Sequence, residues 1–442
     1  MLLITPSAWK LPRVTYGVAA LVCVGLALST EGAVGSRGQA SGPGGATLRV
    51  VVGPGIAEDT VRQVIRTAGG MVYVFAPDDT AQRMSVGAGV LRAYRATGSG
   101  SPRGFVEVDA THHPESTGTR VLYAPDVRLD RRGVAHMVYV DQAGSNLYYQ
   151  TFSTVSNTWG SRHLLGSGAL ANPGFYSTPN RVYRNWASYG LVLDAQDRPH
   201  VVYCSGNSVY SRFLASNVWT TPQLVASGIS PIHVQLAADT ASNIYATWLN
   251  NPLGPPGSSS VMYAKRSAAT SSWTRPQVVD KGNPNVLSDV TDDQGPSIVV
   301  TAANIPYVMY LNGTTDSAGK AISTATVRYL HRGHWLDDTP PSSGYKVTHS
   351  PQLYSRGNDV YLFLGHDINL HWGYLIQRTG HLWSPYKVLD NASLMDGSAS
   401  VRSDPQHDNN PGIIDAIHHS EDYQHNKTYL PQLYYQALTP TK

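Results

Sequence analysis

This sequence predicts an all-β fold, a seven-bladed β-propeller of four-stranded antiparallel blades whose ring is closed by an N-terminal strand. Three observations predict it. A tyrosine in a short apolar strand returns seven times, as Tyr94, Tyr149, Tyr210, Tyr263, Tyr329, Tyr374 and Tyr435. The returns come about every 45–66 residues, and short strands at such a period mark a propeller array. A tryptophan follows most copies after a polar turn, at Trp159, Trp219, Trp273, Trp335 and Trp383, and Phe105 stands in for it in the first repeat. The composition agrees: 41 Gly, 26 Tyr and only 14% charged residues make a turn-rich, β-rich chain. One repeat cannot bury both faces of its sheet, so neighbouring repeats must stack.

The chain opens with a segment, residues 1–36, that has the form of a signal peptide or N-terminal anchor. Lys10 and Arg13 supply positive charge, Val14 to Leu28 is apolar, and Ser29, Gly32, Ala33 and Gly35 follow as small residues. An apolar run of this length is short for a membrane span and suits an export signal. A secreted, extracellular protein is expected, with membrane contact only through an uncleaved segment. Residues 37–46 read as a flexible leader, and 47–442 as a single propeller domain. Cys204 is the only cysteine past the signal, so no internal disulfide is expected. It follows the apolar strand HVVY and reads as a buried small hydrophobe.

Thr47 to Val52 is a spare strand ahead of the first blade. The seventh blade lacks a fourth strand before Lys442, so this spare strand is expected to complete it and cover its open edge. The first blade starts at TVRQVIRTAGGMVYVF. In the second, Val127 to Asp130, Val134 to Val140, Leu147 to Phe152 and Trp159 to Leu165 are the four strands, the β-branched and aromatic runs being separated by polar turns. The third to sixth blades open with LVLDAQDRPHVVY, VQLAADTASNIYATW, SIVVTAANIPYVMY and QLYSRGNDVYLFL. The seventh runs through Ile413 to His418 and Leu433 to Leu438.

This order puts the short turns, between strands one and two and between three and four, at one end. The long segments, including 166–188, 365–371, 391–411 and 419–430, fall at the other. Function tends to sit on loops held by a rigid scaffold, which makes the long-loop end the candidate site. His136 and His200 occupy a repeat position shared with Tyr73, Tyr245, Tyr307, Tyr361 and Asp415, and read as structural. At least seven of the 16 histidines map instead to the long-loop end, among them His113, His366, His371, His407 and His418. The segment 166–188 adds Tyr176, Arg181, Arg184 and Trp186. Aromatic faces beside Arg and His suit a sugar, although a long loop packing its own aromatics gives the same pattern.

The net charge of +3 excludes a nucleic-acid footprint. There is no phosphate loop, dinucleotide fingerprint or nucleophile elbow. No cofactor is expected. Structural calcium is the one ion with ligand types in place, at Asp289, Asp292 and Asp293 and at Asp404, His407 and Asp408, without the Gly-turned spacing of a calcium loop.

The pattern D-x-x-G-x-x-H-x-V-Y, then L-x-Y and a following Trp, as in Asp130 to Trp159, resembles the sialidase-like propellers with BNR-type repeats. The resemblance covers residues 47–442. It implies a propeller and a place among sialidases, other glycosidases, polysaccharide lyases and lectins, since one scaffold hosts many functions. The S-x-D-x-G-x-x-W boxes of sialidases are absent, and glutamate is scarce (Glu31, Glu58, Glu107, Glu115 and Glu421). Lyase chemistry beside a uronate carboxylate needs a base, an acid and a neutralising charge. His366, His371, His418 and Tyr423 are the catalytic candidates. His113, Tyr176, Arg181, Arg184, Trp186 and His407 are the substrate-binding candidates. The expected partner is a polysaccharide or glycan, met by a monomer that binds or cleaves it. A non-catalytic lectin or adhesion module and a protein-interaction scaffold are the alternatives.

Overall fold

The computed structural model describes residues 50–54, 62–78, 90–100, 102–108, 125–141, 146–167, 176–178, 181–183, 188–227, 231–250, 260–281, 296–315, 321–340, 352–364, 372–378, 382–384, 387–390, 399–402, 414–420 and 432–438. These residues form seven antiparallel sheets of four or five strands and one two-stranded hairpin. From the inner strand outward, the first sheet is Val64–Arg66, Val72–Asp78, Val90–Ala96 and Phe105–Glu107. The second is Asp126–Leu129, Val134–Val140, Asn146–Ser153 and His163–Ser167, and Thr158–Trp159 also pairs with its third strand. The third is Tyr189–Leu193, Pro199–Ser205, Ser208–Ala215 and Gln223–Ser227, with Val218–Trp219 added in the same way.

The fourth sheet is Pro231–Ala238, Ile244–Asn250, Ser260–Arg266 and Gln277–Lys281, and the fifth Ser297–Val300, Pro306–Thr315, Ala321–His331 and His334–Asp337. The sixth is Gln352–Arg356, Asp359–Leu364, Trp372–Arg378 and Lys387–Asp390, with Leu382–Trp383 beside its third strand. The seventh is Ala399–Arg402, Ile414–Ser420, Gln432–Leu438 and, as its outer strand, Val50–Pro54. The N-terminal strand therefore pairs with the last strand of the chain, Val50 opposite Tyr435. Two details differ from expectation. Residues 399–402, read as loop, form an inner strand, and the segment 166–188 contains a hairpin, Tyr176–Thr178 with Arg181–Tyr183.

The repeated motif has a local cause. Asp130 accepts hydrogen bonds at Oδ1 from the amides of Arg132 (2.9 Å) and Val134 (2.8 Å), closing the turn between the first two strands. Asp194 and Asp239 do the same in the next two sheets. The turn needs a left-handed residue, met by Gly133 (φ 83°) and by Asp197 (φ 60°), Asp being among the residues that tolerate this region. The second carboxylate oxygen then reaches the repeat position: Asp194 Oδ2 lies 3.0 Å from His200 Nε2, and Tyr245 donates to Asp239 Oδ2 at 2.7 Å. His136 and His200 are buried in this role, as the repeat implied.

Burial is the largest influence on the Asp130 and Asp194 carboxyls and acts upward. Hydrogen bonds from the facing histidines, the neighbouring arginines and the turn amides together outweigh it, holding both well below the usual carboxylate range. Their stabilisation is therefore complete above the unfolded value of about 4 and is lost as pH falls below it. Thermal unfolding followed from pH 7 downward should show a falling midpoint below about pH 4. Asp130→Asn should flatten that slope.

The Tyr–Trp pair of the repeat acts between sheets. Trp219 of the third sheet meets Tyr149 of the second edge-on at 4.9 Å, Trp335 of the fifth meets Tyr263 of the fourth at 5.1 Å, and Phe105 of the first meets Tyr435 of the seventh at 5.5 Å. Outer strands carry a recurrent bulge, with register shifts between Val51 and Gly53, Leu164 and Gly166, Val209 and Tyr210 (opposite Ala226 and Leu224), and Val261 and Met262 (opposite Asp280 and Val278). A bulge leaves its extra residue outside the ladder. Arginines of the following sheet take up two of the freed carbonyls: Arg212 donates to Leu165 O at 2.5 Å and Arg328 to Val279 O at 3.4 Å. Cys204 is buried, and burial pushes its thiol far up, so it is a packing residue. Among the described residues no helix is long and apolar enough to cross a membrane.

Candidate functional site

The long-loop end is framed by the starts of the inner strands. Two residues before the partner of the repeat position, the registers place Gln63, Asp126, Gly190, Gln235, Ser297, Gln352 and Ser400 at one level, one in each sheet. Six of the seven are polar, and several stitch adjacent inner strands. Asp126 accepts from Leu191 N of the third sheet at 2.8 Å and from Arg62 N of the first at 3.3 Å. Ser297 Oγ accepts from Leu353 N of the sixth at 3.1 Å. At Gly190 a Cβ would lie 3.2 Å from Val234 O of the fourth sheet, so glycine permits the close approach there.

Asp126 is the charged member of this level, and Arg128 on the same strand donates to its Oδ1 and to Val127 O. Both side chains are almost wholly buried. One further departure lies at this end. His233 has a φ of 54° and sits within the irregularity between Ile232 and Gln235, buried at 1% exposure. Burial pushes its imidazole down to about 3, so it is neutral at physiological pH. A non-glycine residue strained in this way needs surrounding structure to hold it. The sequence carried no signal for it, because a positive φ at histidine follows from the local register and not from a motif.

The sequence-derived candidates are placed as follows. His418 lies near the long-loop end of the seventh sheet, in register with Tyr434 on one side and Ala399 on the other. Tyr176 and Arg181 belong to the hairpin, where Tyr176 faces Tyr183 and Arg181 faces Thr178. The hairpin and the seventh sheet are separate sheets, so no strand register brings His418 together with Tyr176 or Arg181. His113, Arg184, Trp186, His366, His371, His407 and Tyr423 lie outside the described residues. So do Asp289, Asp292, Asp293, Asp404 and Asp408. Among the described residues no group of three or more His, Cys, Asp or Glu side chains could hold a metal ion.

The floor of this end is thus hydrogen-bonded between adjacent inner strands. No family model matches the sequence, and no curated protein matches it. Solved structures do share the fold. One is an ulvan lyase of a polysaccharide lyase family, PL25 (TM-score 0.51, 10% identity, 86% of this chain and 93% of that one). Another is an ulvan lyase of that family bound to -[GlcA(1-4)Rha3S]- (TM-score 0.50, 10% identity, 88% and 94%). A third is the polysaccharide lyase Uly1 (TM-score 0.50, 12% identity, 86% and 90%). At these identities the likeness is one of fold, the β-propeller.

Proposed function

We propose that the protein is a secreted, monomeric, glycan-directed propeller that acts on an acidic polysaccharide at its long-loop end. Seven blades closed into a ring are part of this reading. Its support is a cycle of contacts between inner strands: Val64–Arg66 with Asp126–Leu129, that with Tyr189–Leu193, and so on through Pro231–Ala238, Ser297–Val300, Gln352–Arg356 and Ala399–Arg402, which touches Val64–Arg66 again. The pairing of Val50–Pro54 with Gln432–Leu438 supports closure by the N-terminal strand. The repeat motif supports a place in the sialidase-like, BNR-type group.

The observation that carries the functional reading is the fold shared with polysaccharide lyases over nearly the whole described chain. One of those structures holds a glucuronate-containing saccharide. In the reaction we propose, a histidine from the set His366, His371 and His418 takes the C5 proton of a uronate. Arg184 or Arg181 neutralises the carboxylate as charge develops on it. Tyr423 or Tyr176 protonates the departing glycosidic oxygen as the bond from C4 breaks and a C4–C5 double bond forms. Each residue has the chemistry its role requires.

The test is incubation of the purified protein with uronate-bearing and neutral polysaccharides, following ultraviolet absorbance and reducing ends together. New absorbance with new reducing ends is the expected result, and His418→Ala should slow it by about a hundredfold. Reducing ends without absorbance would replace the lyase by a hydrolase. Binding on a glycan array without cleavage would make the protein a lectin, and silence throughout would end the glycan reading in favour of a protein partner.

A further inference from the structure

Arg66 and Arg266 are both buried, at 6% and 4% exposure, and their surroundings are opposite. Arg66 spends all five of its N–H donors. Nε and Nη2 grip Asp415 at 3.0 and 2.5 Å, Nη2 also meets the Tyr435 hydroxyl at 2.8 Å, and Nη1 donates to Gly70 O at 3.0 Å and Gly100 O at 2.8 Å. Arg266 has no hydrogen-bonding or ion-pair partner for its guanidinium among the described residues, and its Nε is fully enclosed. Its support is aromatic. The guanidinium carbon lies 4.5 Å from the centre of the Phe213 ring, and Phe213 stacks on His200 at 5.3 Å with planes 16° apart.

Arg266 also breaks the repeat. The residue that follows the partner of the repeat-position side chain on the third strand is Ala96, Phe152, Leu214, Leu330 and Leu438 in five other sheets and Gln377 in the sixth. In the fourth sheet Tyr245 pairs with Lys265, and the following residue is Arg266. A cation therefore occupies a slot that five of the other six sheets fill with an apolar side chain and the sixth with a neutral amide. Burying an uncompensated charge is strongly unfavourable, and a guanidinium held flat on an aromatic face presents its fork in a fixed direction. Nearby, the Asp194 carboxylate is already engaged by Arg198 at 2.7 Å and by His200 at 3.0 Å. Asp194, whose charge acts on Arg266 without contacting it, is thus already engaged by another guanidinium. Burial first, and then Arg198, pull the Arg266 pKa down, while Asp194 acts against them.

We propose that Arg266 is the base of a binding site for a compact oxyanion, a sulfate or carboxylate group, where the third and fourth sheets meet at the short-turn end. Planar and tetrahedral oxyanions fit the guanidinium fork with two parallel hydrogen bonds. The group can be borne by an acidic sugar or be a free ion. The site lies at the opposite end from the long loops and stands without the lyase reading.

The test is the thermal unfolding midpoint of the full chain in sodium sulfate against sodium chloride at equal ionic strength, repeated with glucuronate. Sulfate or glucuronate at ten times its Kd should raise the midpoint by about 2 °C. Arg266→Leu, which places there the leucine found in three of the equivalent slots, should abolish that shift and be at least as stable without the anion. Arg266→Lys keeps the charge without the planar fork and should weaken the affinity about tenfold. A sulfated uronate oligosaccharide binding at least tenfold tighter than free sulfate would assign the anion to a sugar, and equal affinity would assign it to the free ion. An undiminished shift in Arg266→Leu, or none in the wild type with either anion, would overturn the site. Arg266→Leu should leave polysaccharide cleavage unchanged, so the two proposals fail separately.

Discussion

Asp415→Ala is expected to destabilise the protein by about 3–5 kcal/mol, because removing one partner of a buried ion pair strands the other charge. Asp415 joins Arg66 by two hydrogen bonds and accepts a third from the Tyr435 hydroxyl at 2.6 Å. Arg66 belongs to the first sheet, and Asp415 and Tyr435 belong to the seventh. Burial, and then the adjacent carboxylate, push the Tyr435 hydroxyl up, which keeps it a donor at any accessible pH. Denaturant unfolding is the measurement. The double variant Asp415→Leu with Arg66→Met should recover much of the loss, since an apolar pair of similar volume often equals a buried ion pair. No recovery would mean that the carbonyl contacts of Arg66 to Gly70 and Gly100, and not the charge pair, hold this junction.

Trp219→Ala is expected to cost about 3 kcal/mol, the low end of the range for deleting a large aromatic, because the ring is partly buried. Trp219 meets Tyr149 and packs against a core cluster that includes Tyr203, Leu165 and Leu191, drawn from the second and third sheets, so its loss opens a cavity between sheets. Trp219→Phe should retain more than half of that stability, because Phe105 fills the corresponding position in the first sheet. An effect below 1 kcal/mol for the alanine variant would remove the tryptophan from the inter-sheet core.

The fold was legible because its recurring parts are chemically conspicuous. An aspartate that closes a turn, a Tyr or His that receives its second oxygen, and a Tyr–Trp pair between sheets all leave marks in single residues. The strand at 399–402 left none: Ala399-Ser-Val-Arg402 is short, has one β-branched apolar residue, and sits between polar stretches. Its place comes from pairing with Ile414–Ser420. The polar level of Gln63, Asp126 and Ser297 was equally hidden, since each residue is unremarkable until strand registers align them. Arg266 left no mark in the sequence, because its slot is defined only by strand register, which aligns it with apolar residues in five other sheets and with Gln377 in the sixth. Of the candidate site, His418 lies within the strand Ile414–Ser420, which runs on through His419 and Ser420, residues read as loop from the sequence. The sequence could name residue types there but not their convergence, because loops obey no periodicity that would fix where their side chains meet.

The pairing of Val50–Pro54 with Gln432–Leu438 sets an order of events on the chain as it is made. The strand Val50–Pro54 finds its partner only after residues 55–431 have been synthesised. Six sheets can assemble from neighbours in sequence as they emerge, but the seventh needs a contact spanning nearly the whole described chain, and such non-local pairings form slowly. Until then the strand Val50–Pro54, with its apolar Val50 and Val52, has no sheet to join. Completion of the seventh sheet therefore comes late, and a nascent chain stalled short of residue 432 would hold Val50–Pro54 in waiting.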